Sequence, residues 1–550
     1  MPPLPLAAAL HGWIDRNFLE LGRQMRLSYL PPLMVYVAAG ISGLTGIVGV
    51  FYVKERLGLS AEFLAALGFW GGLPWALKMP LGHLVDLIWR WKALLVYLGA
   101  TLIAASLLIM IGLLDTSGAL HGALLALMPV EAWYVLAALL APVGYVVQDV
   151  VADAMTVEAV PHLDDQGQPV TDAQRRLMHT TMQTLGRVAI IGGTLIVAAL
   201  NVLLLDGVAG LAEDQRAAAY RSIYELALLI PAVSVAGVIL ASWLRRRDSA
   251  RLARQGHSGE AIAALLGRIF EPPPVNWWIL LGGLAFAVVS LSLGVGKVAY
   301  AQEIVFLVSM TIILFLIGQL TRELDPEARR VLVGTAIVIF VFRAVPGPGP
   351  GATWWMIDEL VFDQQFLAVL SLISSVLTLA GMFIFRRFMA ERPITYIVGF
   401  LTVFGTLLTL PTLGMYYGLH QWTAAHTGGV VDARFIALVD TALESPLGQI
   451  AMIPMLAWIA NSAPERLKAT FFAVMASFTN LALSASQLAT QYLNRLFTVT
   501  REVKDAKTGL LVTPADYSEL GLLLIWVTVI GFAAPMLAIG LIRMLRLRSA

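Results

Sequence analysis

A chain of 550 residues that is 58% hydrophobic and 13% charged falls outside the soluble globular class, where about a quarter of residues carry charge. The absence of cysteine excludes disulfides, thiolate catalysis and Cys-based metal sites. A formal net charge of +1 gives no electrostatic footing for nucleic acid.

Met1–Leu10 has no basic n-region and no A-x-A-like site after an apolar run, so a cleavable signal is not expected. In segment 1–28, Trp13, Ile14, Phe18, Leu21 and Met25 recur at helical spacing, with Arg16, Arg23 and Arg26 elsewhere. That pattern predicts a helix lying on the membrane surface, or an extension of the first span.

Beyond it the apolar runs are long enough to cross a hydrocarbon core of ~30 Å at ~1.5 Å per residue. Fourteen spans are predicted, at 29–53, 62–87, 93–113, 132–155, 178–204, 223–244, 277–296, 302–321, 329–346, 364–386, 393–415, 435–460, 469–491 and 518–541. They group as six, two and six in an all-α polytopic membrane protein. The first half occupies 29–246 and is followed by a basic linker, 247–276, that begins just after Arg245-Arg246. An inserted hairpin, 277–321, follows Asn276 and opens with Trp277-Trp278, and the second half occupies 322–550. Lys and Arg concentrate in the loops on the side of the termini, which places both termini in the cytoplasm of a cell inner (plasma) membrane protein. Two six-span halves joined by a cytoplasmic linker resemble the major facilitator superfamily, whose halves rock about a central site.

Seven ionisable side chains stand inside these spans: Lys78, Asp149, Asp153, Arg187, Arg343, Asp440 and Glu444. Each costs about 2.5–3.5 kcal/mol at the bilayer centre unless paired or hydrated. Asp149 and Asp153 are one helical turn apart and share a face. By residue count Lys78 and Arg187 fall at similar depth. The four form either a static ion-pair cluster or a pairing that changes during gating or proton binding. Asp440 and Glu444 repeat the i, i+4 acidic spacing in the second half, with Arg343 as the natural partner. This pair is a candidate for proton coupling or a plain salt bridge.

Pro346-Gly347-Pro348-Gly349-Pro350-Gly351 must interrupt any helix. Trp354 and Trp355 just beyond it belong to an outer loop at the interface, or to an aromatic gate that stacks on a flat ring. Trp75 is a further stacking candidate or a core tryptophan. Gly82 and Asp86, with Arg90 and Lys92 beyond, resemble the superfamily's loop between spans two and three, which latches the inner gate. No metal site is expected at His83, and the eight histidines are scattered.

Several motifs resemble the folate–biopterin transporter family of that superfamily. They are Gly40-Ile41-Ser42-Gly43-Leu44, Lys54-Glu55-Arg56-Leu57-Gly58-Leu59-Ser60, and Leu73-Pro74-Trp75-Ala76-Leu77-Lys78-Met79-Pro80-Leu81-Gly82. Gln148-Asp149 through Asp153, Glu359-Leu360-Val361-Phe362, Gly448 to Pro454 and Phe478-Thr479-Asn480-Leu481 complete the set. The family pattern has twelve spans and sets the second-span lysine directly before proline. Here 277–321 is extra and Met79 intervenes between Lys78 and Pro80. The resemblance implies a non-enzymatic secondary transporter without cofactor. It implies a monomer in the lipid bilayer that moves a polar organic solute, folate- or pterin-like, by proton coupling. A muropeptide-type permease and a non-transporting assembly or pigment-delivery factor are the alternative readings.

Overall fold

The computed structural model describes residues 23, 25–57, 59–76, 78–160, 170–266, 275, 277–295, 298–385, 388–389, 392–448, 450–452, 454–455, 468–504 and 511–547. The surface helix expected in 1–28 falls almost wholly outside them.

The described chain is helical apart from one two-stranded antiparallel ribbon, β1 (Val503–Lys504) with β2 (Leu511–Thr513). Helices of the first group are α1 (Leu30–Gly40), α2 (Gly46–Arg56), α3 (Ala61–Ala76), α4 (Lys78–Leu87), α5 (Ala93–Leu114), α6 (Ala119–Leu127), α7 (Val130–Ala159), α8 (Asp172–Leu204), α9 (Glu213–Ala227), α10 (Leu229–Arg254) and α11 (Gly259–Leu265). The hairpin consists of α12 (Trp277–Val295) and α13 (Ala301–Leu320). The second group comprises α14 (Pro326–Arg343), α15 (Pro350–Asp358), α16 (Gln364–Ile384), α17 (Ile394–Tyr416), α18 (Leu419–His426), α19 (Ala433–Glu444), α20 (Lys468–Leu496) and α21 (Leu520–Met544).

Helix starts follow ordinary capping chemistry. Asp325, Asp363 and Asp432 each accept a backbone N–H from the first turn of α14, α16 and α19, satisfying donors that have no partner inside the helix. Pro326 and Pro350 occupy first helical positions, where a missing N–H costs nothing. The Pro/Gly run thus separates two helices as expected, α14 ending at Arg343 and α15 restarting at Pro350.

Among the described residues, nine helical stretches are long and apolar enough to cross a membrane. The other five expected spans fall on α3 with α4, α12, α14, α19 and α20; α14 carries Glu327, Arg329, Arg330 and Arg343, and the rest include or adjoin residues outside the described set. Helices α1 to α10 pack largely on one another, and in the second group α21 packs on α17 and α14, and α19 on α17 and α16. The two groups meet along α3 against α20 and α8 against α16. The hairpin lies beside the first of these seams. Gln302 Nε2 donates to the Ala66 carbonyl of α3 at 3.1 Å, and the Tyr492 hydroxyl of α20 donates to Glu303.

Within the first group α1 and α8 touch backbone to backbone. A Cβ at Gly40 would stand 2.2 Å from the Ile190 carbonyl oxygen, and one at Gly193 2.7 Å from Gly40 Cα. Gly40→Ala should therefore destabilise the fold by about 1–3 kcal/mol, the usual cost of overpacking. Gly192→Ala, whose Cβ would meet nothing within 4 Å, serves as the control. Thermal unfolding in detergent measures both, and equal melting temperatures would remove this crossing as a determinant of the fold.

Candidate functional site

Lys78 opens α4 and reaches across to α7. Its Nζ lies 2.6 Å from Asp149 Oδ2 and 2.8 Å from Asp153 Oδ2. The one-turn spacing on α7 presents both carboxylates to the single ammonium. Tyr36 of α1 completes the group, its hydroxyl donating to Asp153 Oδ1 at 2.6 Å. The Tyr36 ring is admitted by Gly186 of α8, where a Cβ would come within 2.9 Å of ring carbon Cε2. Four helices therefore converge on one charged cluster.

Burial differs across it: the side chain of Asp149 is 13% exposed, that of Lys78 23% and that of Asp153 46%. Two carboxylates share one ammonium, so with all three ionised the trio is negative by one charge. Arg187 of α8 is near enough for its charge to act on Asp149 and Tyr36. It is exposed and makes no ion pair within 4 Å among the described residues. The expected four-residue group thus forms as a bonded trio with a loose fourth member. Tyr36 carries no signal in the sequence, because a tyrosine in an apolar run reads as ordinary core.

Beside Asp149, Gln148 plays a packing role. It is buried, donates to the Val96 carbonyl at 3.2 Å and accepts from Ser234 Oγ at 2.9 Å. These bonds fix the rotation of α7 between α5 and α10 and so aim Asp149 at Lys78.

Just before α5, Lys92 is buried and lies 2.5 Å from Oε1 of Glu158, further along α7, and 3.8 Å from the Trp89 ring centre. Burial pushes the Lys92 pKa below its ordinary value, against the opposing pull of Glu158. Arg245 of α10 adds a 3.8 Å contact to the other Glu158 oxygen. Of the expected gate residues, then, Lys92 is in an ion-paired cluster, with Glu158 as a partner the sequence does not point to. Arg90 is exposed, nothing lies within 4 Å of a Cβ at Gly82, and the Asp86 side chain falls outside the described residues.

The second half departs from expectation. Arg343 pairs with neither Asp440 nor Glu444 among the described residues. As the last residue of α14 it turns toward α20, donating from Nε to the Thr479 carbonyl at 3.0 Å and approaching Met452 Sδ at 3.7 Å. It lines an otherwise apolar cavity of about 280 Å³ with Phe342, Ile394, Val398 and Met452. Asp440 is partly buried in α19, and its Oδ1 is buried without a partner among the described residues. Glu444 is exposed.

Trp354 and Trp355 are buried and belong to the core, which removes them as a stacking surface. Trp75 is half-buried, and its carbonyl accepts from Asn480 Nδ2 at 3.4 Å. What covers the tryptophans is a set of contacts between distant parts of the chain. Lys54 of α2 forms an ion pair with Asp358 of α15, and the Tyr517 hydroxyl donates to the same carboxylate. Arg501 Nη1 donates to the Lys54 carbonyl at 2.7 Å, with its guanidinium 5.6 Å from the Trp354 ring centre. Burial, reinforced by Asp358, raises the Tyr517 pKa, and burial lowers that of Arg501. Nearby, Gln364 Nε2 donates to the Tyr220 hydroxyl at 2.6 Å and Gln365 Nε2 to Asp206 at 2.8 Å. At this end, opposite the Arg245–Arg254 end of α10, the two helix groups are therefore tied together.

An apolar helical bundle with a charged cluster at its heart and a tied seam has the build of an integral membrane transporter. Solved structures with this fold include a POT family transporter in complex with a thioalcohol-conjugated peptide, at TM-score 0.57 and 11% identity, covering 95% of this chain and 96% of that one. A mutant of the nucleoside transporter NupG aligns at TM-score 0.52 and 11% identity, covering 94% and 99%. The chain belongs to the BT1 family, whose model matches residues 39–548. It is similar to a folate-biopterin transporter of Synechocystis, 24% identical over 469 residues, which make up 85% of this chain and 74% of the relative. The family and these relatives are transporters, not enzymes.

Proposed function

We propose that the protein is a proton-coupled secondary transporter of a folate- or pterin-like solute, working by alternating access in the cell inner membrane as a monomer with cytoplasmic termini. In this reading it is a fourteen-span member of the major facilitator superfamily, with halves at 29–246 and 322–550 around the linker 247–276 and the hairpin 277–321. The observation that carries it is the odd charge balance of Lys78, Asp149 and Asp153. One carboxylate in excess of its ammonium, mostly buried, is a place for a transported proton or for a donor edge of the solute. A pterin ring offers such donors. Arg187, which pairs with no carboxylate among the described residues, is the cation left to meet an anionic tail.

The test is pH-gradient-driven uptake of labelled folate, a pterin and an anhydro-muropeptide into proteoliposomes. Accumulation of folate or the pterin in the wild type, reduced at least tenfold by Asp149→Asn, is the expected result. Muropeptide uptake alone would replace the solute class. Unchanged accumulation in the variant would reduce Asp149 to a structural role.

A further inference from the structure

We propose that the exposed face of α10 holds the headgroup of an anionic phospholipid in a groove formed by Trp243, Arg246, Arg247, Arg251, Arg254 and Gln255. The groove measures about 640 Å³. Among the described residues, Arg246, Arg251 and Arg254 face no carboxylate within 4 Å, and Arg247 has only Asp248 of its own helix, at 3.6 Å. Arg245 is turned away from them onto Glu158. The face is therefore four guanidiniums beside one carboxylate. All four are arginine, whose planar fork grips two phosphate oxygens at once.

What distinguishes a lipid from a soluble anion is the continuation of this face. Ala232, Ala236, Ile239 and Trp243 are exposed, at successive steps of four, three and four residues, and Arg246, Ala250 and Arg254 extend the same stripe. From Ala232 to Trp243 the helix rises about 16 Å, one leaflet's share of a ~30 Å core. Trp243 then falls at the level where indoles anchor at a membrane interface, and its ring sits 5.7 Å from the Arg247 guanidinium. Apolar stripe, indole and arginines follow one another in the order of acyl chain, glycerol backbone and phosphate.

The experiment uses the full chain in detergent, titrated with short-chain phosphatidylglycerol, with phosphatidylcholine and inorganic phosphate as separate arms. Phosphatidylglycerol is expected to bind at least tenfold more tightly than phosphatidylcholine. Each arginine contributes roughly a fivefold factor, so the Arg246→Gln/Arg251→Gln/Arg254→Gln variant loses on the order of a hundredfold. Arg251→Gln alone keeps the measurement readable should the triple variant fold poorly. Equal binding of the two lipids overturns the proposal, as does full affinity in the variants. Phosphate competing at the same concentration as the lipid would mark an anion site instead, and would equally overturn it.

Discussion

Lys78→Met is expected to abolish coupled uptake and to lower stability by about 3–5 kcal/mol, the usual cost of stranding a buried charge. The figure belongs mainly to Asp149, since Asp153 is nearly half exposed and water screens its loss. Removal of the ammonium leaves two carboxylates one turn apart with Tyr36 as the remaining side-chain donor among the described residues, and only to Asp153. Adding Asp149→Asn to Lys78→Met should recover much of the lost stability, because the stranded charge goes with it. Thermal unfolding of the two single variants and the double variant measures the coupling. Simple additivity of the two losses would mean that the trio is not an energetic unit. Uptake separates function from folding here, since the double variant is expected to be stable yet inactive.

Lys54→Ala is expected to loosen the tied end. Lys54 and Asp358 come from different helix groups and are 15% and 26% exposed, so their pairing is worth more than that of a fully hydrated surface pair. A conformational bias of about 1–3 kcal/mol corresponds to a population shift of roughly 5- to 150-fold. The chain has no cysteine of its own, so Ala352→Cys, at a buried position beneath this end, is a clean reporter. Its labelling by a membrane-impermeant maleimide should be slow alone and faster by at least fivefold with Lys54→Ala. The exchange Lys54→Asp with Asp358→Lys should slow it again. Identical labelling rates in all three would show that this ion pair does not hold the end shut.

The part of the site legible in the sequence is the part governed by spacing along one helix and by depth. Asp149 and Asp153 share a face because helices repeat every 3.6 residues, and Lys78 lies at matching depth. Rotation of a helix about its axis is not set by depth. Arg343 is accordingly directed at Thr479 and Met452, away from the second acidic pair, because α14 packs against α20 on that side. The buried state of Trp354 depends on cover from Val499, Arg501 and Tyr517, well over a hundred residues later in the chain. No local pattern around the tryptophans carries that information. Glu158 and Tyr36 are single polar residues whose partners lie on other helices, so nothing nearby in the sequence marks them either.

The hairpin of α12 and α13 touches Ala66 and Pro80 on one side of a seam and Tyr492 on the other. An element fastened to both partners of a hinge behaves as a strap. If the two helix groups move by the alternating access proposed above, the α3–α20 side is restrained by it, whereas the α8–α16 side carries no such fastening among the described residues. Opening would then be lopsided, with the wider mouth at the unstrapped edge as the preferred door for a bulky solute.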